Sequence, residues 1–93
     1  MEKNNAINQF EQLIKELNIK SDVIKNLTTV DVVNCDTCEH IGFVLIVTLN
    51  QKYRFDLQLL QTINDKLDPD SFFITHRNRM FVFELKYYYE KEN

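Results

Sequence analysis

The sequence predicts a single α+β domain in which helices lie on one side of an antiparallel-dominated sheet. Its 93 residues are enough for one hydrophobic core but not for two domains. Apolar residues make up 44% of the chain, which is typical of a folded globular protein. Segments with helical spacing alternate with β-branched runs in the order α-β-β-α, followed by a segment of either type and a last strand. We expect one domain over residues 1–89 and a charged tail over residues 90–93.

The N-terminal part of the chain is predicted to be an amphipathic helix, because its apolar residues recur at steps of three and four. These residues are Ile7, Phe10, Ile14 and Leu17. Ser21 and Asp22 offer a second cap, for one or two further helical turns over residues 23–27. The β-branched run over residues 28–35 then predicts the first strand.

Residues 41–49 form the most strongly predicted strand. Its apolar side chains alternate between two faces: Phe43, Leu45 and Val47 on one, Val44 and Ile46 on the other. This pattern is typical of a central strand that is covered on both faces. A polar turn over residues 36–40 precedes the strand, and residues 53–55 are predicted to be short and extended.

The C-terminal half of the chain begins with a predicted helix that Asp56 caps and that ends before Pro69, because the residue before a proline avoids the helical region. For residues 68–75 two alternatives remain open. A short third helix with the proline at its first position is favoured, and the other alternative is a strand that turns at residues 76–79. Residues 80–89 are predicted to be the last strand, so the favoured alternative gives a three-stranded sheet.

Composition excludes several kinds of site. Glycine and proline occur once each, as Gly42 and Pro69, so a glycine-rich phosphate loop and a G-x-S-x-G nucleophile motif are absent. The carboxylates and serines show no catalytic pattern, so we expect neither an active site nor a cofactor. The net charge of −3 argues against nucleic acid as the main partner. No apolar run fits a signal peptide or a membrane span, which predicts a cytoplasmic protein with reduced cysteines.

The two cysteines and two histidines of the chain are candidate ligands for zinc. They are Cys35, Cys38, His40 and His76. A structural zinc site normally has two pairs of ligands, and here the distant histidine has no companion, so no metal is expected. A C-x-x-C redox motif would stand at the start of a helix, whereas this one lies in a predicted turn.

Two further groups of residues are candidates for binding. His76, Arg77 and Arg79 form a basic cluster near Lys86, in which the two arginines are candidate phosphate contacts and a solvated loop is the alternative. Aromatic residues cluster around the last strand, and those that folding leaves exposed are candidate anchors for a protein partner. These aromatic candidates are Phe72, Phe73, Tyr87, Tyr88 and Tyr89.

The succession of apolar segments resembles a known family. The segments that carry the resemblance are residues 10–19, 27–33, 42–49, 53–67 and 81–85. Together they are similar to the extreme N-terminal domain of PolC-type DNA polymerase III α subunits from low-GC Gram-positive bacteria and mycoplasmas. The resemblance covers residues 8–86 and consists of hydrophobic spacing and element order. The turn that contains the cysteines is not a feature of that family.

This resemblance implies a non-catalytic domain with a KH-like fold that docks a replicative polymerase onto the C-terminal region of the clamp-loader tau subunit. The polymerase and 3′–5′ exonuclease residues of such a parent lie outside this chain. KH domains that bind nucleic acid use a G-x-x-G loop, which this chain lacks, so no specific nucleic acid is expected.

Two alternatives remain. Residues 59–79 are also similar to a segment of LytTR-type DNA-binding domains, whose loop presents His-Arg to DNA, although that family continues through further strands. A free-standing small inhibitor of phage or bacterial origin is the third class.

Overall fold

The computed structural model describes residues 2–50 and 57–89. The elements follow in the order α1 (Lys3–Glu16), a 3₁₀ helix (Ser21–Val23), β1 (Ile24–Val33), β2 (His40–Leu49), α2 (Leu57–Leu67), β3 (Ser71–Arg77) and β4 (Met80–Tyr88). The strands form one sheet in the order β1-β2-β4-β3, and every neighbouring pair is antiparallel. The predicted α+β class and antiparallel sheet are confirmed.

The sheet has four strands, so the prediction of three strands and a third helix was wrong. Asp68 follows α2 with a φ of 44°, which ends the helix and does not allow a new one to begin there. The aromatic and β-branched residues that follow pair with β4 instead, with Phe72 opposite Leu85 and Ile74 opposite Phe83. The other alternative, a strand over this segment, agrees with the structure.

A two-residue turn joins β3 to β4. Asn78 and Arg79 have φ values of 51° and 65°, so both central residues adopt the left-handed conformation of a type I′ turn. This turn matches the twist of the flanking strands and fixes their register, with Arg77 opposite Met80.

Helix α1 ends in a Schellman motif. Asn18 has a φ of 57° and donates its backbone N–H to the Lys15 carbonyl, and the Ile19 N–H donates to the Ile14 carbonyl. The chain then makes one 3₁₀ turn and enters β1 at Ile24. The further helical turns predicted for residues 23–27 are therefore mostly strand, because residues 24–27 pair with the end of β2, with Ile24 opposite Leu49 and Leu27 opposite Val47.

The core lies between the helices and one face of the sheet. Its buried side chains are Ala6, Phe10, Leu13, Ile14, Phe43, Leu45, Val47, Leu49, Ile63, Leu67, Phe83, Leu85 and Tyr87. On the central strands β2 and β4 these are alternate residues, as expected for one buried face. The Tyr87 hydroxyl donates a 2.7 Å hydrogen bond to the Leu67 carbonyl, which links β4 to the C-terminus of α2.

Gly42 is required where β2 passes β4. A Cβ atom at this position would lie 2.1 Å from the Tyr87 carbonyl oxygen and 3.0 Å from the Tyr88 Cα atom. Because both neighbours are backbone atoms, no side-chain rotation could make room. The central strands therefore approach each other closely only with glycine at this position.

Three predictions lie outside the described residues: the Asp56 cap, the extended segment 53–55 and the charged tail 90–93. Neither described α-helix combines the length and the apolar composition that a membrane span requires.

Candidate protein-binding surface

The sheet has a second face, opposite the helices, that we call the open face. Its side chains are Asn26, Thr28, Val30 and Val32 on β1, Val44, Ile46 and Thr48 on β2, Ser71, Phe73, Thr75 and Arg77 on β3, and Met80, Val82, Glu84, Lys86 and Tyr88 on β4. All of these side chains are half-buried or exposed. The prediction that β2 is covered on both faces was therefore wrong, because both described helices pack on the Phe43 side.

The register places apolar residues of neighbouring strands side by side on the open face. Val44 lies between Val30 and Lys86, and Ile46 lies between Thr28 and Glu84. Valine and isoleucine thus form a continuous apolar strip over β1 and β2. Glu84 and Lys86 separate this strip from the β3 edge, and Arg77 lies on the same face at the end of β3, so the open face combines an apolar strip with two positive charges and one negative charge.

Three large apolar or aromatic side chains of the open face are exposed. Phe73 is 57% exposed, Val30 52% and Tyr88 45%. The Lys86 ammonium lies 5.0 Å from the centre of the Tyr88 ring, a cation–π contact that orients this tyrosine along the face. The three side chains share one face of the sheet, with Val30 on one edge strand, Phe73 on the other and Tyr88 near the end of β4. Apolar surface that continues from one strand to the next is typical of sites that bind other molecules, and here it is the strip of Val30, Val44 and Ile46 that does so.

The five aromatic candidates from the sequence do not form one surface. Only Phe73 and Tyr88 lie on the open face. Phe72 and Tyr89 are half-buried on the helix side, at 5.7 Å from the Phe83 ring and 6.1 Å from the Phe43 ring. Tyr87 stacks on Phe43 at 5.2 Å inside the core. Tyr87 is therefore a core residue in the folded domain and not an exposed anchor.

The basic cluster is divided by the fold. Arg77 and Arg79 are both exposed at the β3–β4 turn, and His76 points to the other face of the sheet, 4.7 Å from the Phe81 ring. Lys86 pairs with Ser71 at the opposite end of β3, about 20 Å from Arg77 at the usual rise of a strand. The two candidate phosphate contacts are thus neighbours, but Lys86 does not join them.

The candidate zinc ligands are also separated. Cys35 and Cys38 are exposed free thiols in the turn between β1 and β2, near His40. His76 lies on β3, the opposite edge strand, three strand spacings or about 14 Å from β1. Ligands of one zinc ion all lie within about 2.3 Å of it, so this histidine cannot complete the set. No group of three metal-binding side chains occurs among residues 2–50 and 57–89.

Asp31 is the centre of a small charged cluster on the helix side of β1. It pairs with Lys3 of α1, and its other carboxylate oxygen is 3.3 Å from His40 Nδ1. The hydrogen bond from Lys3 is the main cause that lowers the pKa of the Asp31 carboxyl and raises the pKa of the Lys3 ammonium. All three groups are partly exposed, so the cluster ties α1 to β1 rather than forming a reactive site.

A groove of about 410 Å³ lies between the C-terminal part of α1 and the start of β1. Ile14, Ile19, Ile24 and Leu27 form its apolar wall, and Lys15 and Lys25 are among its charged residues. The groove lies beside the Schellman contact between Ile14 and Ile19. It holds no buried polar group that could orient a ligand, because no described polar or charged residue is buried.

Comparisons with known proteins found no matching family model, no similar curated protein and no similar solved structure.

The sequence pattern identifies Val44 and Ile46 as an apolar face of β2 but predicts that this face is covered, and it does not single out Val30 or Val82 as binding candidates. The alternation of Thr28, Val30 and Val32 in β1 is a signal of a second apolar face. Which face the helices would cover could not be decided from that alternation alone.

Proposed function

We propose that this domain is a non-catalytic protein-interaction module whose partner binds the open face. The observation that supports this proposal is the apolar strip of Val30, Val44 and Ile46, which neither described helix covers. The solvated face of an antiparallel sheet usually carries polar side chains. Covering this strip with a partner would remove apolar surface from water, which is the main driving force of protein association.

Charge and aromatic spacing favour a protein over nucleic acid as the partner. The chain has a net charge of −3, whereas binding to phosphates gains from a basic surface. Sheets that bind single strands stack bases on neighbouring aromatic rings. Here Phe73 lies opposite Glu84, four residues from Tyr88 and so about 13 Å away along β4.

The family resemblance supplies a specific partner for this proposal. It implies the C-terminal region of a clamp-loader tau subunit, with the domain serving as the docking part of a replicative DNA polymerase III α subunit in the cytoplasm. The exposed free thiols Cys35 and Cys38 are compatible with a reducing compartment. The four-stranded order found here differs from the KH-like order that the resemblance implies. The proposal that a protein binds the open face therefore rests on the surface, and the choice of the tau subunit rests on the resemblance alone.

The experiment is an NMR titration of the ¹⁵N-labelled domain with the tau C-terminal region. We expect chemical-shift changes on Val30, Val44 and Ile46, and weak or absent changes on α1 and α2. Val44→Lys places a charge at the centre of the strip and should weaken binding by about tenfold or more. Leu57→Lys is the matched control, because Leu57 is 78% exposed on the helix side and should tolerate the same change without loss of binding.

Circular dichroism of both variants separates loss of binding from loss of folding. Shift changes confined to the helices, or equal binding by the wild type and Val44→Lys, would show that the open face is not the binding surface. Absence of any binding would exclude the tau subunit as the partner. Low-micromolar, sequence-dependent binding to duplex DNA that is lost in an Arg77→Glu/Arg79→Glu variant would instead favour the LytTR-like alternative.

A further inference from the structure

We propose that the partner of the open face is a protein segment that carries carboxylates beside its apolar residues, and that these carboxylates bind a basic cluster at one end of the sheet. The cluster consists of Lys25 on β1 and of Arg77 and Arg79 at the β3–β4 turn. This inference rests on the function proposed for the open face and adds the chemistry of the partner. Three observations support it: the position of Lys25, the lack of carboxylates that pair with the cluster, and the sign of the charges on the open face.

The fold brings Lys25 of one edge strand close to the end of the other. Its Nζ atom lies 3.5 Å from the Met80 sulfur, and Met80 pairs with Arg77 on the open face. The Cβ atoms of such directly opposed residues are about 5 Å apart. A depression of about 420 Å³ at this end of the sheet is lined by Lys25, Asn50, Asn78 and Met80. The partner of the two arginines is thus Lys25, and not the lysine of β4 that the sequence places near them.

No carboxylate of residues 2–50 and 57–89 pairs with the basic cluster. The ion pairs among these residues both involve Asp31, on the helix side of β1. The Lys25 ammonium donates to the Met80 thioether, which is a weak acceptor. Asp22 lies nearby, since its backbone carbonyl accepts a hydrogen bond from the Asn50 amide, but its carboxylate forms no ion pair. The three cationic groups are exposed, so their donors are available to carboxylates of another molecule.

The open face is positively charged although the whole chain is negatively charged. The charged side chains on this face are Arg77, Glu84 and Lys86, and Lys25 reaches its end. Three positive charges thus stand against one negative charge, whereas the chain has a net charge of −3. Complementary charges steer a partner toward one surface and suppress binding to others. An acidic segment is therefore attracted to the open face and repelled by the rest of the protein.

The arrangement of these charges favours an acidic peptide over a nucleic acid. Met80 is four residues from Glu84, the neighbour of Ile46, so the cluster lies about 13 Å from the apolar strip. Val82 lies between them on the same face and continues the apolar surface toward the cluster. A peptide can place carboxylates over the cluster and apolar side chains over the strip. A nucleic-acid strand carries a phosphate at every nucleotide and would bring phosphates over Glu84.

The test titrates hexaglutamate and hexathymidylate, in separate experiments, into the ¹⁵N-labelled domain at about 20 mM salt, where surface charges are weakly screened. We expect hexaglutamate to shift the amide signals of Lys25, Arg77 and Asn78 and to leave those of α1 and α2 unchanged. Sodium chloride at about 0.5 M should remove these changes. Hexathymidylate should bind more weakly than hexaglutamate.

A pair of double variants tests whether the cluster itself is the site. Lys25→Gln/Arg77→Gln should raise the dissociation constant for hexaglutamate about fivefold or more at low salt. Lys15→Gln/Lys66→Gln is the matched control, because it removes the same charge from the last turns of α1 and α2, and it should bind like the wild type. Circular dichroism confirms that both variants are folded. The cluster variant should also bind the tau C-terminal region more weakly than the wild type does.

Several results would overturn the inference. They are the absence of shifts at the cluster, equal binding of hexaglutamate by the wild type and the cluster variant, and an equal loss in the control. Tighter binding of hexathymidylate would identify nucleic acid as the ligand of the cluster instead. Val44→Lys should bind hexaglutamate no more weakly than the wild type, so the cluster is tested separately from the strip. A tau region that shifts Val44 and Ile46 but binds the cluster variant unchanged would refute this inference and leave the proposed function intact.

Discussion

The hydrogen bond between Tyr87 and Leu67 provides the sharpest test of how the sheet and the helices are joined. Tyr87→Phe removes only the hydroxyl and keeps the ring that stacks on Phe43 at 5.2 Å. The carbonyls of the last helical turn have no partner within the helix, and the Leu67 carbonyl is satisfied by this hydroxyl at 2.7 Å. Because the bond is buried, its loss leaves an unsatisfied carbonyl that water cannot easily reach.

We expect Tyr87→Phe to lower the free energy of unfolding by about 2 kcal/mol, within the range for an unsatisfied buried hydrogen-bonding group. For a domain of this size such a loss lowers the melting temperature by on the order of 10 °C. The measurement is urea denaturation followed by far-UV circular dichroism at pH 7. Tyr88→Phe is the matched control, because the neighbouring hydroxyl belongs to an exposed ring, and it should change stability by less than about 0.5 kcal/mol.

The difference in the free energy of unfolding between the wild type and Tyr87→Phe should also depend on pH. Burial, together with the charges of Asp68 and Asp70, raises the pKa of Tyr87 to about 12 from its ordinary value of 10.0. The folded state therefore favours the neutral phenol. Its contribution is complete below pH 10 and is lost as the pH rises toward 12. By about pH 11 the advantage of the wild type over Tyr87→Phe should shrink by about 1 kcal/mol.

Two outcomes would refute this account of Tyr87. If Tyr87→Phe and Tyr88→Phe destabilise the domain equally at pH 7, the buried hydroxyl does not contribute as described. If the advantage of the wild type grows between pH 9 and pH 11, the sign of the pKa shift is wrong.

Three further predictions follow from the backbone and the cysteines. Gly42→Ala should lower the free energy of unfolding by about 2–3 kcal/mol in urea denaturation, because the new Cβ meets backbone atoms of β4; a loss below about 0.5 kcal/mol would contradict the close approach. Arg79→Gly should raise the free energy of unfolding by about 1 kcal/mol, because glycine adopts the positive φ of the type I′ turn without strain, and an unchanged or lower melting temperature would count against that turn. Elemental analysis of the purified chain should find no stoichiometric zinc, whereas one zinc per chain with unfolding on chelation would revive the site built on the cysteine pair.

The helices and strands whose apolar residues recur at regular spacing were predictable from the sequence. The apolar stripe of α1 and the alternation in β2 and β4 gave the correct element types, because burial on one side leaves a periodic pattern. The segment around Phe72 and Phe73 was harder. A proline after an aspartate is compatible with either the start of a helix or the approach to an edge strand, and the pairing with β4 that decides between them is a contact distant in sequence.

The candidate surface was less predictable than the fold. The sequence indicates that Val44 and Ile46 form an apolar face, but whether a second layer covers them depends on how many helices there are and where they pack. The same limit applies to Tyr87, since a run of three tyrosines shows that at least one is exposed but not which one. Burial of Tyr87 follows from its pairing with Phe43 across β2 and β4.

The two ends of the described domain meet at one place. Glu2, Lys3, Asn4 and Tyr89 line the same shallow depression, so the chain enters and leaves the fold side by side. A short linker could therefore join these ends, and new termini could be opened in the exposed turn between β1 and β2 without breaking any strand pairing. For the same reason, the fold could be inserted into a loop of a host protein while holding the two sides of that loop together.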